Sequence, residues 1–576
     1  MRLNINRFLS WTRAGKWTEQ LKQREEAVSL LLSLFVGALV GLVVTGFILL
    51  TGRLAARMYP PGGSAWLRVL VPTFGSLVSG ALIARFFPNA RGSGIPQTKF
   101  ALFIHDGYIS LRTVIGKFLC CTLSLASGIA LGREGPSVQI GSGLASVLGR
   151  AAGLRPANVR ALIPVGSSAA LAAAFNTPIA AVLFSLEEIL GDLHANVLGT
   201  VVISSATSWM VLHLILGDEP LFHVPAYHLV NPAEFGIYAV LGLVGGLGSV
   251  AFVKLLLVIR LAFKRLPPST AWIQPAAGGL FVGLLALAVP EVLGVGYDYV
   301  ERVLGGDLAL KTVLLLAVLK IVATAACYSS GNAGGIFGPS LFIGAMIGAS
   351  VGALAHMLFP SITADPGAYA LVGMGTAFAG IIRTPFTSVI MIFELTRDYS
   401  IIVPLMISNM IAYFVSQKLQ REPIYDALAR QEGVLLPNHD EEREEPAYLL
   451  VGNVMRPCKE PFAPGLDVDA ALAKMIELGV YQWPVVRDHV LLGLVSEHAL
   501  KEVRFDTAPA VRDALPPDGS YPFVHIDNTV GQVLERMGQE HVELLPVVSR
   551  ANVRQLLGVI TFADAVKAYG VGNADA

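Results

Sequence analysis

Five stretches of this chain, 28–50, 66–87, 197–216, 235–263 and 308–326, are apolar for long enough, or nearly so, to cross the roughly 30 Å hydrocarbon core of a bilayer as helices. Composition points the same way. Of 576 residues, 54% are hydrophobic and only 15% charged, with a mean hydropathy of +0.61, which is too apolar for an ordinary soluble protein. A polytopic α-helical membrane protein is predicted, with lipid around most of it. The 58 glycines let membrane helices approach closely and let backbone unwind beside a pathway. Forty-two basic residues balance 42 acidic ones, so no net charge draws the chain to nucleic acid. Cys120, Cys121, Cys327 and Cys458 form no CxxC pair and three lie in apolar runs, so neither a metal site nor a disulfide framework is indicated.

The segment 1–27 carries Arg2, Arg7, Arg13, Lys16, Lys22 and Arg24 ahead of the first apolar run and lacks a short apolar core with a cleavage site, so it does not read as a signal peptide. The positive-inside rule keeps it cytoplasmic, and the charged C-terminal quarter is most simply cytoplasmic too, which implies an even number of crossings.

Between the plain spans lie pieces broken by Gly and Pro, 95–104, 136–148, 172–188, 339–358 and 385–394, several of them too short to span. Non-helical backbone is tolerated at membrane depth only where protein or a water-filled cavity satisfies it, so the breaks point towards a transport site. An internal repeat sharpens this. Gly132-Arg-Glu-Gly-Pro-Ser-Val-Gln-Ile-Gly141 matches Gly335-Ile-Phe-Gly-Pro-Ser-Leu-Phe-Ile-Gly344 at six of ten positions. Downstream, 166–187 runs parallel to 373–394, pairing Thr177-Pro178 with Thr384-Pro385 and Glu187 with Glu394. Two blocks in one order imply duplicated halves, the pattern of transporters whose substrate sits between repeats.

After Arg430 the texture changes to the polar, Pro-ended stretch Asn438-His-Asp-Glu-Glu-Arg-Glu-Glu-Pro446, too charged for a bilayer. A soluble α/β module follows, and it also repeats: 469–476, Trp483-Pro-Val-Val486 and Leu492-Gly-Leu-Val495 recur as 530–537, Leu545-Pro-Val-Val548 and Leu557-Gly-Val-Ile560. Each unit reads as helix, strand, hairpin, strand, helix. The predicted organisation is 1–27 cytoplasmic segment, 28–430 transport domain, 431–448 linker, 449–508 and 509–571 the two soluble repeats, and 572–576 a tail.

Gly92-Ser-Gly-Ile-Pro96, Gly132-Arg-Glu-Gly-Pro136 and Gly335-Ile-Phe-Gly-Pro339 share one logic: Pro starts a helix and Gly lets backbone N–H groups face a ligand. Helix starts of this kind stabilise a bare anion without the full cationic charge that would hold it too tightly for transport. Glu134 stands out because its repeat partner is Phe337, so an ionisable group occurs in only one of two similar turns. A carboxylate tethered beside the N–H groups of Arg133, Glu134 and Gly135 competes with the transported anion for one positive field, and protonation weakens that competition. Glu187 and Glu188 end an apolar segment, where carboxylates sit unfavourably against a negative helix end, so one of them is expected to work in transport.

These three glycine-proline segments resemble the signature stretches of the CLC family of chloride channels and proton-coupled chloride transporters. The resemblance extends over about 28–430 and takes in Phe175-Asn-Thr-Pro178, the Glu187-Glu188 pair and Glu422-Pro-Ile-Tyr425. The soluble tail separately resembles a tandem CBS pair. The resemblance implies a homodimer with one pathway per protomer and two inverted halves in each. It implies that the Ser93 and Tyr425 hydroxyls and the N–H groups of Ile336 and Phe337 bind the anion, with Gly92, Arg133 and Gly135 in the same turns. Glu134 resembles the family's gating glutamate, and Glu188 falls at its internal proton-transfer glutamate, while Glu187 reads as mainly structural. Lys117 matches a basic family position near the pathway, or else is a lysine reaching the interface. In the tail, Gly558-Val-Ile-Thr-Phe-Ala-Asp564 resembles the adenosine-contacting motif of nucleotide-binding CBS pairs, implying Thr561 and Asp564 as contacts of an adenine nucleotide. The first repeat, Gly493-Leu-Val-Ser-Glu-His-Ala499, has Ala where that Asp would stand.

The leading expectation is chloride/proton antiport, with chloride and protons as substrates and no required cofactor. A passive voltage- or ligand-regulated chloride channel, or a fluoride or nitrate exchanger, stands as the alternative on the same fold. A CBS-regulated cation transporter is disfavoured because no dense carboxylate cluster accompanies the spans. An enzyme is not expected, since no nucleophile–base constellation or phosphate-binding loop is present.

Overall fold

The computed structural model describes residues 5–58, 64–193, 197–218, 221–222, 224–225, 227, 229–434, 436, 449–458, 460–488, 490–503, 508–516, 520–540 and 542–568, with side chains from residue 28 onward. The chain forms two compact units, Met1–Leu436 and Pro437–Ala576.

In the first unit the described elements are helical. One half runs α1 (Ile5–Met58), α2 (Ala65–Arg85), α3 (Ile95–Phe103), α4 (Leu111–Ala126), α5 (Glu134–Ala151), α6 (Pro156–Phe175), α7 (Pro178–Phe184) and α8 (Leu198–Leu216). The other runs α9 (Glu234–Lys264), α10 (Gln274–Ala288), α11 (Tyr297–Leu304), α12 (Leu310–Ser329), α13 (Phe337–Leu358), α14 (Pro366–Ile382), α15 (Pro385–Thr396) and α16 (Ile402–Leu419), and α17 (Ile424–Gln431) follows. Among the described residues, eight helical stretches are long and apolar enough to cross a membrane. One of them, α13, is a piece that the sequence grouped with the broken segments. It starts at Phe337, ahead of Pro339, and so reaches 22 residues.

Pro starts α6, α7, α14 and α15, where its missing N–H costs nothing. The helices before α7 and α15 end alike, with Asn176 at φ 62° and Arg383 at φ 70° in the left-handed conformation that terminates a helix. Thr-Pro follows each time and launches the next helix. The repeat seen in sequence is therefore a repeat of backbone breaks.

The halves grip each other reciprocally. Gly132 N–H donates to Gly335 O at 2.7 Å and Gly335 N–H donates to Gly132 O at 2.7 Å. Glu187 accepts from the N–H of Phe386 (3.3 Å) and of Thr387 (2.8 Å) at the start of α15. Glu394 accepts from the N–H of Ile179 (3.0 Å) and of Ala180 (2.7 Å) at the start of α7. Mutual contacts between corresponding residues require a pseudo-two-fold axis between the halves. This corrects one reading from sequence: Glu187 is not set against its own helix's negative end, because the chain there turns through a π-helical segment, Ser185–Leu190, and its carboxylate caps a positive helix end in the other half. Lys117 does not reach the interface either. It is fully buried and donates to the carbonyls of Ala90 (3.1 Å) and Gly92 (2.7 Å). Its repeat counterpart Lys320, also fully buried, donates to Val292 O (3.1 Å) and Gly294 O (2.6 Å).

The second unit contains two similar hairpins. Helix Val468–Leu478 precedes β1 (Gln482–Arg487) and β2 (Val490–Ser496), which pair antiparallel, and helix Glu497–Val503 follows. In the second repeat, β3 (Val524–His525) lies parallel to β4 (Leu544–Val548), β4 pairs antiparallel with β5 (Leu556–Thr561), and helices Val530–Glu540 and Phe562–Ala568 flank the hairpin. The register slips at the same place in both hairpins, Val485/Val486 and Val547/Val548, so the repeat extends to a local irregularity.

Two helix crossings in the membrane unit repeat as well. A Cβ on Gly141 would stand 2.7 Å from Ala170 Cβ and 2.9 Å from Val40, and one on Gly344 would stand 2.8 Å from Ala377 Cβ and 2.9 Å from the Gly373 carbonyl carbon. Backbones approach this closely only without side chains. Gly344→Leu and Gly373→Leu are each expected to destabilise the protein by about 1–3 kcal/mol or more through overpacking, read as a lower melting temperature in detergent. An unchanged melting temperature would show that these crossings relax freely.

Candidate functional site

Three helix starts converge. α5 and α13 begin beside the reciprocal Gly132/Gly335 bonds, and Gly334 N–H donates to Gly92 O at 3.2 Å, bringing in the turn ahead of α3. That turn needs glycine at Gly94, whose φ is 103° and whose missing Cβ would stand 2.9 Å from Gly135 O. Gln97 caps it by accepting from Gly94 N–H at 3.0 Å. Gly135 likewise has no room for a side chain, since a Cβ there would lie 3.0 Å from Ser93 O and 3.5 Å from Gly335 Cα. Gly92 contributes its carbonyl, held by Lys117. First-turn N–H groups have no acceptor within their own helix, so these starts present a shared positive field.

Glu134 is fully buried and reaches across the axis. Its Oε2 accepts from Gly338 N–H at 3.2 Å, in the first turn of α13, and its Oε1 accepts from the Tyr297 hydroxyl. Arg133 Nε is 4.0 Å from the same carboxylate, and its guanidinium lies 5.6 Å from the centre of the Tyr297 ring. Sequence reasoning set the carboxylate beside the N–H groups of its own turn, at Arg133, Glu134 and Gly135. The structure instead seats it on the corresponding turn of the other half, because the Gly132/Gly335 pairing brings that turn alongside. Phe337, its repeat counterpart, packs among the rings of Phe175, Phe184 and Phe378 at 4.7, 5.4 and 4.3 Å between centroids. One half thus supplies a carboxylate and the other an apolar wall.

Ser93 and Tyr425 are fully buried. Their side chains are within interaction range, yet neither hydroxyl has a partner with hydrogen-bond geometry among the described residues. Ser93 does not cap α3, since Gly94 holds that position. Tyr425, on α17, lies within electrostatic reach of both Glu134 and Glu188. The structure thus gathers Ser93, Tyr425, Glu134, Gly92, Arg133, Gly135, Ile336 and Phe337 around the three turns.

Glu188 stands apart from Glu134 and is also buried. Its Oε1 is 3.0 Å from Lys99 Nζ, which is also 2.8 Å from Asp426 Oδ1. Sequence reasoning missed Lys99, Asp426 and Tyr297. Lys99 and Asp426 left a signal, a charge within a short, otherwise mostly apolar helical segment of the membrane unit, which inside a membrane is a functional candidate by default. Tyr297 left none, because a tyrosine opening a short helix is ordinary.

In the tail, Thr561 and Asp564 meet each other: Thr561 Oγ1 donates to Asp564 Oδ2 at 2.7 Å, and Asp564 N–H donates to Thr561 Oγ1 at 3.1 Å. This is a reciprocal cap on the helix Phe562–Ala568. Arg456 also forms an ion pair with Asp564.

Residues 75–417 match the family described as voltage gated chloride channel, and residues 511–570, the second soluble repeat, match the CBS domain. The H(+)/Cl(−) exchange transporter ClcA of Vibrio campbellii is 33% identical over 419 residues, covering 69% of this chain and 88% of that protein. A slow cyanobacterial Cl−/H+ antiporter of known structure superposes with a TM-score of 0.65 at 27% identity, over 70% of this chain and 97% of that one. A eukaryotic CLC transporter shares the fold at 21% identity, with a TM-score of 0.62 over 93% of this chain and 97% of its own. With its spanning helices, its paired halves and these matches, the chain is a multi-pass membrane transport protein that belongs to the voltage gated chloride channel family, CLC, and carries a CBS domain in its C-terminal unit.

Proposed function

We propose that this chain exchanges chloride for protons across its membrane. The observation that carries the reading is the position of Glu134: a buried carboxylate from one half occupies the helix start of the other half, beside two buried hydroxyls that make no hydrogen bond of good geometry among the described residues. An ionised Glu134 and a chloride ion compete for the same positive helix start, that of α13. Protonation removes that charge, the acid leaves the α13 start, and chloride takes the field of Ile336 and Phe337 N–H with Ser93 and Tyr425 as hydroxyl donors. Lys117 is held by the carbonyls of Ala90 and Gly92 and Lys99 by two carboxylates, so the anion is bound mainly by dipoles, and it also leaves. Glu188 hands the proton onward, which separates the proton route from the anion route on its inner side. A relative supports the reading by analogy, since the 33% identical ClcA of Vibrio campbellii is an H(+)/Cl(−) exchange transporter.

Several further assignments belong to the same proposal. The protein works as a homodimer with one pathway per protomer, the N- and C-termini lie in the cytoplasm, and the protein is a transporter without enzymatic activity. Residues 28–430 are the transport domain, and after the linker 431–448 the segments 449–508 and 509–571 form a tandem CBS pair ahead of the tail 572–576. That pair binds an adenine nucleotide at Thr561 and Asp564, where Arg456 supplies a cation to face phosphate and binding adjusts transport. Titration calorimetry on the full-length protein is expected to show heat with ATP, ADP or AMP, and a loss of affinity of about tenfold in Asp564→Asn for one lost charge-assisted bond. No heat with any of the three would leave the Thr561–Asp564 pair as a helix cap alone.

Ser93 is expected to favour chloride over nitrate, since a compact spherical ion gains more from one directed donor than a flat, delocalised one does. Ser93→Pro is expected to narrow or invert the chloride-to-nitrate flux ratio, and an unchanged ratio would remove Ser93 from selection.

Coupling is tested in liposomes by reading chloride and pH together. Wild type is expected to pump protons against their gradient as chloride runs down its own. In Glu188→Gln chloride still moves while that proton uptake disappears, and in Glu134→Gln coupling vanishes and chloride flux loses most of its pH dependence. Wild-type chloride flux without proton movement would replace exchange by a passive channel.

A further inference from the structure

Lys99, Glu188 and Asp426 make up a buried ionic cluster that the anion route does not use. The single ammonium of Lys99 touches both carboxylates, at 3.0 Å and 2.8 Å. The three side chains differ in their access to solvent: Glu188 is 6% exposed, Lys99 10% and Asp426 20%. Other charged or titratable groups face the cluster. Glu187 is beside Glu188 but is engaged on the start of α15. Tyr425 faces Glu188 from α17. Arg383 reaches towards Asp426 and Glu422 while donating to the carbonyls of Ser416, Gln420 and Arg421. Glu422 itself is paired with Arg430.

Two carboxylates sharing one ammonium carry a net charge of −1 when all are ionised. One added proton makes the cluster neutral, and a second makes it positive. Burial penalises net charge in either direction, so the cluster is built to take up one proton and release one. Where that proton resides follows from the lysine. The carboxylate that keeps the ammonium stays ionised, and the one that loses it becomes the proton acceptor. Both carboxylate oxygens touch the same nitrogen, which keeps them close enough for a single water to bridge them and pass the proton.

We propose that Asp426 is the proton entry group on the cytoplasmic side of the exchanger, and that Lys99 moves the proton inward by shifting its ion pair between Glu188 and Asp426. This rests on the exchange reading above. A proton arriving from solvent protonates an Asp426 oxygen while Lys99 holds Glu188. The proton then leaves Asp426 for a Glu188 oxygen as Lys99 closes on the freed Asp426 carboxylate, and the ammonium keeps its three protons throughout. Asp426 adjoins Tyr425 on α17, so the entry group and an anion-binding hydroxyl sit on one short helix. Lys99 is a positioning residue in this scheme, because it never carries the transported proton.

The test uses full-length protein in liposomes, with chloride and proton fluxes read together over a series of symmetric pH values. In Asp426→Asn the ionised cluster is already neutral, so protonating Glu188 would leave an unpaired buried ammonium. Its proton-to-chloride ratio is expected to fall about tenfold, with the pH profile of coupled flux displaced to the acid side by about one unit. Lys99→Gln displaces the profile to the alkaline side. The double variant Lys99→Gln/Asp426→Asn restores a net charge of −1 and is expected to return the pH profile towards wild type while its proton-to-chloride ratio stays low, because the entry group is still missing, and Asp426→Glu retains coupling. A wild-type proton-to-chloride ratio in Asp426→Asn or in the double variant overturns the relay while leaving exchange intact. Wild-type protein that moves chloride without protons overturns exchange, and the relay with it.

Discussion

Backbone polar groups at membrane depth have no water to turn to, and the arrangement of this protein follows from how its broken helices meet that demand. The Gly-Pro turns interrupt helices where a soluble protein would hydrate the loose ends. Here the ends are satisfied from across a two-fold axis: Gly132 by Gly335 and the reverse, the start of α15 by Glu187 and the start of α7 by Glu394. Lys117 and Lys320 satisfy loop carbonyls too, each within its own half. An irregular backbone survives in lipid because its partner copy of the fold completes it.

Symmetry of that kind leaves room for one deliberate difference. The turns at 132–136 and 335–339 are alike in backbone but not at Glu134 and Phe337. The acid crosses to the N–H of Gly338, while the phenylalanine fills space among three rings. Two equivalent helix starts thereby acquire unequal chemistry, one open to titration and one not. The field that draws an anion is made from dipoles, and the full charges nearby are each engaged: Arg133 with Glu134, Lys99 with Glu188 and Asp426, and Lys117 with carbonyls.

Much of this was legible in the sequence. The spans, the duplicated halves and the two soluble repeats follow from apolar length and self-similarity, which survive divergence because lipid and packing enforce them. Ser93, Glu134 and Tyr425 stood out through their turns. What stayed hidden depends on contacts between the halves. That Glu187 would cap α15 rather than oppose its own helix, and that Glu134 would sit on Gly338, both follow from an axis that no local spacing encodes. Lys99 and Asp426, 327 residues apart, read singly as stray charges, and only the fold makes them a pair. The repeat flagged Glu187 and Glu394 as equivalent without showing that each serves the other's half.

The reciprocal carboxylates also set an order of events during biosynthesis. Glu394, which caps Ile179, lies 215 residues further along the chain. When the ribosome has delivered α7 to the membrane, the group that will complete its first turn has not been translated, and Glu187 beside it awaits Phe386 and Thr387 in the same way. The N-terminal half is thus inserted with an uncapped helix start and an unplaced carboxylate, both unfavourable in hydrocarbon. Both wait for α15 to emerge, so the capping of each half is completed only by the other.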